Sequence, residues 1–118
     1  ADDRRNIDRM QDLDVSVYES MRSAGICPGM VVISDAGHDK GRVYLVTEIK
    51  DRFAYLADGR TRSADHLKKK RVTHIKVLGM AKTAAEITEK ISSAAGTETK
   101  DIIIREIIAD FFETKQQQ

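Results

Sequence analysis

The stretch that decides the fold is GMVVISDAGHDKGRVYLVTEI, residues 29–49. An apolar run ends in a polar segment with two glycines, and a second apolar run follows, which is the pattern of two strands joined by a tight turn. Glycine reaches the positive φ angles that such turns need. We therefore expect strands at about residues 30–34 and 42–49, with Lys40 and Arg42 on the turn between them.

The segments after this hairpin predict further short strands. Residues 53–57 form an apolar run that ends in Asp58-Gly59, a dipeptide that favours a two-residue hairpin turn because both residues tolerate positive φ. We expect a short fourth strand to begin at residues 60–62, a single helical turn at 63–67 and a fifth strand at 72–77. Five short strands at this spacing predict a small barrel.

After Gly79 the apolar period changes from two to about 3.6 residues, which indicates helices. Thr83 and Glu86 have the spacing of a capping box, and Gly96 is a helix stop. The helix that follows carries a wide apolar stripe of Ile103, Ile104, Ile107, Ile108, Phe111 and Phe112. The sequence therefore predicts an α+β chain with an N-terminal extension at 1–27, a barrel at 28–79 and a C-terminal helical hairpin with a frayed end at 80–118.

The N-terminal extension gives a weaker signal. We expect it to be partly disordered or to form a short, weak helix, because Leu13, Val17 and Met21 recur at a spacing of four. No window resembles a membrane span, and no apolar signal segment is present at the N-terminus. The single cysteine, Cys27, fits a reducing compartment. We expect a cytoplasmic protein that does not enter membranes.

Charge is segregated along the chain although the net charge is only +1. Residues 29–79 contain eleven Lys and Arg against six Asp and Glu, whereas both flanking segments are slightly acidic. Residues 60–76 alone contain seven cations and one acid, Asp65. Cations gathered in this way repel one another unless an anionic partner is present, so they predict a polyanion-binding surface. A membrane surface is disfavoured because no amphipathic helix carries these cations.

Glycines beside cations on a β-turn suit phosphate, and RNA is the polyanion that we expect. Aromatic residues make up only 5% of the chain, which favours contact with the RNA backbone over reading of bases. The alternative is a plain hairpin with solvated charges. The candidate RNA contacts are Gly37, His38, Lys40, Gly41, Arg42, Arg60, Arg62, Lys68, Lys69, Lys70, Arg71, His74 and Lys76.

Residues 28–79 also resemble a known family. Gly29, the run Val31-Val32-Ile33, Gly37, Lys40-Gly41, Val43 and Val46 are similar to the KOW motif of bacterial large-subunit ribosomal proteins and of transcription elongation factors. Leu56-Ala57-Asp58-Gly59, the basic run 68–71 and a closing strand follow in the order that the family has. The resemblance implies an SH3-like barrel, ribosome association and ribosomal RNA of the large subunit as partner, with ribosomal proteins as possible neighbours. His38 departs from the family, which often has a cation such as Arg there.

Other classes of function receive less support. A protein-interaction module would use the apolar C-terminal helix, with Ile107 and Phe111 as contacts, although such a stripe more often packs on its own domain. The three histidines and Cys27 lack the paired short spacing of a zinc site. No catalytic motif is visible. We therefore expect a non-catalytic protein without metal or cofactor, monomeric away from the ribosome.

Overall fold

The computed structural model of the chain describes residues 25–116. The helix predicted around Leu13, Val17 and Met21 lies outside the described residues. Within them the chain is α+β, with a five-stranded antiparallel sheet followed by two helices. The strands are β1 (Met30–Ser34), β2 (Val43–Lys50), β3 (Phe53–Ala57), β4 (Lys68–Arg71) and β5 (Ile75–Met80), and the helices are α1 (Ala84–Ser92) and α2 (Thr97–Gln116).

The strands are ordered β4-β3-β2-β1-β5, and the sheet curls. The pairing register shifts between Val46 and Glu48 in β2 and between Val31 and Val32 in β1, and such bulges bend a sheet. Leu56 of β3 and Ile75 of β5 belong to one apolar cluster, although β2 and β1 lie between β3 and β5 in the sheet. The edge strands β4 and β5 are joined only through the 3-10 helix Val72–His74, so the sheet is not a closed barrel.

The curled sheet has a core on each face. On one face Tyr44 and Leu56 of the strands and Val72 of the 3-10 helix are fully buried in a single apolar cluster. The opposite face contributes Val31 and Leu45 to a second core that α1 and α2 complete. Strand β2 shows the effect of this arrangement. Its consecutive residues 44–46 are all buried, because both faces of the strand are covered.

The helices bury their apolar stripes against the sheet. The Thr83 hydroxyl caps α1 by accepting a hydrogen bond from the Glu86 backbone at 3.2 Å, which confirms this half of the predicted capping box. The Glu86 carboxylate accepts from the same hydroxyl at 3.1 Å and not from the Thr83 backbone. Ile104, Ile107 and Phe111 of α2 are buried in the second core. The prediction that Ile107 and Phe111 contact a partner is therefore wrong, because the protein's own sheet covers them. Neither α1 nor α2 has the length and apolar composition of a membrane-crossing helix.

Three predictions about the second half of the sheet are also wrong. Residues 60–62 form a turn, whereas the basic run 68–71 is the real fourth strand. The fifth strand begins at Ile75 after the 3-10 helix and continues past Gly79 to Met80. The side chain of Asp58 explains the first of these differences, because it holds the backbone of Arg60 and Arg62 in a turn.

Candidate nucleic-acid interface

A basic groove lies between two turns on one side of the sheet. One border is residues 35–42, which we call the glycine turn, and the other is residues 58–62, which we call the Asp58 loop. The groove has a volume of about 380 Å³ and is lined by His38, Asp39, Arg42, Tyr44, Thr61, Arg62 and Lys68. Three segments distant in sequence thus bring three permanent cations and a histidine together.

Asp39 organises the glycine turn from within. Its carboxylate accepts hydrogen bonds from the Lys70 ammonium at 2.6 Å, the Ser34 hydroxyl at 2.8 Å and the Tyr44 hydroxyl at 2.8 Å. Burial alone would raise the pKa of the Asp39 carboxyl, but the hydrogen bonds and the charge of Lys70 outweigh burial and hold the pKa well below its usual range. The carboxylate in the groove is therefore ionised and already neutralised by a cation.

Lys70 belongs to this internal network and not to the RNA-binding surface. Its side chain is only 9% exposed, and its ammonium group also donates to the Ala36 carbonyl oxygen at 2.7 Å. The ammonium group thus donates to a carboxylate and to a carbonyl oxygen within the protein, and its charge is already paired, so it is poorly available to bind a phosphate. The prediction that Lys70 contacts RNA is therefore wrong, and its role is to fix the glycine turn.

The Tyr44 hydroxyl stays protonated as the third member of the network. Burial raises the pKa of Tyr44 to about 12, and the hydrogen bond to Asp39 and the negative charge of Asp39 act in the same direction. Asp39, Tyr44 and Ser34 were not among the predicted site residues. The position of an acid between two turn glycines was the only available signal, and nothing in the sequence indicated that Lys70 of a distant strand would meet it.

The backbone of the glycine turn has the conformation that its sequence favours. Gly37 and Gly41 have φ angles of 86° and 92°, and the Gly41 backbone donates to the Ser34 carbonyl oxygen at 2.8 Å. His38, Lys40 and Arg42 are exposed on the outside of the turn. The turn thus presents cations on a backbone that the Asp39 network already holds in place. Binding therefore needs to order the backbone of the turn less, which lowers its entropic cost.

The Asp58 loop is braced by its own acid. The Asp58 carboxylate accepts hydrogen bonds from the backbone of Arg60 at 2.9 Å, from the backbone of Arg62 at 2.8 Å and from the Thr61 hydroxyl at 2.6 Å. Burial would raise the pKa of the Asp58 carboxyl, but these hydrogen bonds lower it below its usual value. Helix α2 also holds the loop, because the Arg105 guanidinium donates to the Gly59 carbonyl oxygen at 2.6 Å.

A hydrogen bond across the groove links its two borders. The Arg42 guanidinium donates to the Thr61 hydroxyl at 2.8 Å, and Thr61 in turn donates to Asp58. This contact uses one of the five N–H donors of Arg42 and leaves the rest of the planar group for a ligand. Thr61 was missed by the sequence analysis, since an uncharged residue in a basic run gives no signal of its own.

Strand β4 divides the basic run 68–71 between two faces, because successive side chains of a strand point in opposite directions. Lys68 lines the groove, and Lys70 points to the same side and reaches Asp39. Lys69 and Arg71 lie on the other face of the strand, against the ring of Phe53. The run is therefore not one patch, although the sequence alone suggested a continuous one.

The remaining predicted contacts surround the groove or lie apart from it. Asp35, at the base of the glycine turn, donates its backbone N–H to the His74 carbonyl oxygen at 2.8 Å, which places exposed His74 beside the turn. Lys76 is exposed and lies 3.9 Å from the Asp35 carboxylate. Arg60 lines a separate cavity with Arg105 of α2. In the part of the chain that the structure describes, no three His, Cys, Asp or Glu side chains converge as metal ligands.

No family model matches the chain, and no curated protein matches it significantly. The functional interpretation therefore depends on the groove and on the charge around it.

Proposed function

We propose that the protein is a non-catalytic RNA-binding module that holds the sugar–phosphate backbone in the groove between the glycine turn and the Asp58 loop. The observation that carries this proposal is the convergence of Arg42, Arg62 and Lys68 on one groove whose single lining carboxylate, Asp39, is already paired with Lys70. The cations of the groove have no acid of their own to neutralise them there. A chain of phosphates supplies the missing negative charge.

The chemistry of the groove suits phosphates more than base edges. Guanidinium groups bind phosphate oxygens through two parallel hydrogen bonds, and lysine acts as a point charge beside them. Every lysine or arginine that replaces counterions condensed on the RNA phosphates adds to affinity, because those counterions are released into solution. Lys40 on the glycine turn and Lys76 beside its base extend this charge beyond the groove, and the exposed His74 lies next to them. Contacts of this kind fix position and carry little sequence information.

We further propose that the curled sheet is an SH3-like barrel of the KOW type that stays open between β4 and β5. We also propose that the protein acts in the cytoplasm on the ribosome, with large-subunit ribosomal RNA as partner and ribosomal proteins as neighbours. The resemblance of residues 28–79 to the KOW motif supports this narrower proposal. The curled antiparallel sheet, with its glycine turn between β1 and β2, is consistent with it. The competing protein-interaction module loses its expected surface, since Ile107 and Phe111 are buried.

Salt dependence of RNA binding tests the proposal. Fluorescence anisotropy with a labelled RNA hairpin should give an affinity that falls steeply between about 50 and 200 mM salt, with a log–log slope of about −3 or steeper for three groove cations on phosphates. The variant Arg62→Gln/Lys68→Gln should reduce the magnitude of that slope by about 2. Binding that does not change over this range would reject the proposal.

The matched control removes the same charge from the helical side of the chain. Lys82→Gln/Lys90→Gln leaves the groove intact and lowers the net charge by the same amount, so the slope should stay close to that of the unmodified protein. Equal loss of slope in the two double variants would mean that charge in general, and not the groove, binds RNA. Sedimentation of cell lysate at two salt concentrations tests the ribosomal part, which predicts salt-sensitive co-migration with large subunits.

A further inference from the structure

A ring flanked by two cations lies on the face of the sheet opposite the groove. In the register of β3 and β4, Phe53 is directly opposite Arg71 and Tyr55 is directly opposite Lys69. The Lys69 ammonium lies 4.3 Å from the centroid of the Phe53 ring, and the Arg71 guanidinium carbon lies 5.9 Å from it. Phe53 and Tyr55 are half-buried and belong to neither apolar core.

The other aromatic rings of the described residues are used differently. Tyr44 is buried with its hydroxyl on Asp39, and Phe111 is buried in the second core, where it meets Phe112 edge to face at 5.3 Å. Within residues 25–116, the Phe53 ring instead has the charged side chains of Lys69 and Arg71 over it. The apolar face of such a ring would be covered more completely by a flat, uncharged ring, such as a nucleobase, than by a lysine side chain.

Strand β4 connects this ring to the groove. Among the described strands it is an edge strand, and it places Lys68 in the groove and Lys69 on the face of Phe53. An RNA strand held by Lys68 and leaving the groove across this edge therefore meets Lys69 as its next cation. The exposed Lys69 side chain makes no ion pair within residues 25–116, which leaves its ammonium group available for a phosphate.

We propose that one unpaired nucleotide of the bound RNA stacks its base on the Phe53 ring while Lys69 moves from the ring to the adjoining phosphate. This inference rests on the proposed function and narrows its ligand to RNA with a single-stranded nucleotide next to the backbone held in the groove. Bases stack on aromatic side chains without regard to sequence, because every base has a π face. A paired base cannot take part, since its faces are covered by its neighbours in the helix.

Removing the aromatic face separates the two parts of the interface. Phe53→Leu keeps an apolar side chain, and we expect it to weaken binding of a single-stranded RNA oligonucleotide about tenfold, while binding of a blunt RNA duplex stays unchanged. The control Phe112→Leu removes an exposed ring from α2 and should change neither affinity. Both affinities come from fluorescence anisotropy at one salt concentration, and circular dichroism verifies that each variant is folded.

A second measurement detects the stacking directly. An oligonucleotide with 5-iodouridine should crosslink under ultraviolet light to the peptide that contains Phe53, and the Phe53→Leu variant should lose that crosslink. The inference is overturned if Phe53→Leu weakens duplex and single strand equally, if it behaves like Phe112→Leu, or if the crosslink falls elsewhere. In each of these cases a salt dependence of RNA binding that Arg62→Gln/Lys68→Gln reduces, and that the control Lys82→Gln/Lys90→Gln does not, would still support the proposed function. If the unmodified protein bound no RNA at all, in contrast, both proposals would be rejected.

Discussion

The two turns that border the groove are each built around an aspartate, but they are stabilised in different ways. Asp39 binds side chains, and its main partner is the buried Lys70 of an edge strand. Asp58 binds the backbone of its own loop, which then docks on α2 through Gly59 and Arg105. The glycine turn is thus anchored on a buried lysine of the sheet, whereas the Asp58 loop is anchored on helix α2, which packs against the outside of the sheet. The two borders should respond differently to mutation.

The largest effect is expected at the buried ion pair. Lys70→Ala leaves the Asp39 carboxylate without its cation in a site where both side chains are almost completely buried. Breaking such a pair by removing one partner destabilises a protein by about 3 to 5 kcal/mol. Urea denaturation should show the free energy of unfolding falling by about that amount.

The surface pair of Lys76 and Asp35 is the matched control for the buried pair. Its atoms are 3.9 Å apart and its side chains are 69% and 43% exposed, so Lys76→Ala should change the free energy of unfolding by at most about 0.5 kcal/mol. Similar losses in Lys70→Ala and Lys76→Ala would contradict the view that the glycine turn is anchored from inside. The double variant Asp39→Asn/Lys70→Met should recover part of the loss, because it leaves no unpaired charge.

A smaller effect is expected when a methyl group is added to each turn. Gly59 has a φ angle of 76°, and a Cβ atom there would overlap the Asp101 carbonyl oxygen of α2. Gly59→Ala should therefore cost about 3 kcal/mol, since backbone strain is joined by a clash that the helix must relieve by moving. Gly41 has a φ angle of 92° but no atom within 4 Å of such a Cβ, so Gly41→Ala should cost only about 1 kcal/mol.

Thermal melts followed by circular dichroism compare the two alanine variants. The Asp58 loop should be the more sensitive turn because its glycine approaches another element, whereas the glycine turn has room on its outer side. Equal melting temperatures would mean that α2 does not hold the loop as closely as its contacts indicate. RNA affinity measured on the same variants should fall in both, since each turn carries cations of the groove.

The sequence predicted the local features of the sheet and of the helices. Apolar runs that end at turn residues located β1 and β3, and the Thr83–Glu86 spacing located the start of α1. These features depend on neighbours in the chain, so a linear pattern contains them. The strand predicted at residues 60–62 was wrong, because hydrogen bonds to Asp58 hold the backbone there in a turn.

The site could be predicted only in part, because its decisive contacts join distant segments. The excess of cations in residues 60–76 was visible in the sequence, but not which of them would be available to a ligand. Lys70 and Lys69 are adjacent and chemically identical, yet one meets Asp39 and the other covers Phe53. Their difference follows from the alternation of β4 and from its pairing with β3, and the basic run gave no sign of being a strand.

The smallest of the expected effects is the change of the melting temperature with pH, which depends on the ionisation of the two aspartates. Folding lowers the pKa of Asp39 and of Asp58, so the stability that each contributes is complete above the ordinary aspartate value of 3.8 and is lost as the pH falls below it. Folding raises the pKa of Tyr44 from 10.0 to about 12, so the stability that it contributes is complete below pH 10 and is lost as the pH rises toward 12. The melting temperature should therefore be level from about pH 5 to pH 9 and fall on both sides.

Two conservative variants assign the limbs of this pH profile to their groups. Asp39→Asn should flatten the acid limb without abolishing it, because Asp58 still titrates there with its backbone partners. Tyr44→Phe should remove the alkaline decline between pH 10 and about 12 while leaving the acid limb in place. For each variant, the melting temperature at one pH is subtracted from that at a second pH. A loss of stability that is the same at both pH values therefore does not affect the result. An acid limb that Asp39→Asn leaves unchanged would show that the Asp58 loop, and not the glycine turn, is the acid-sensitive border of the groove.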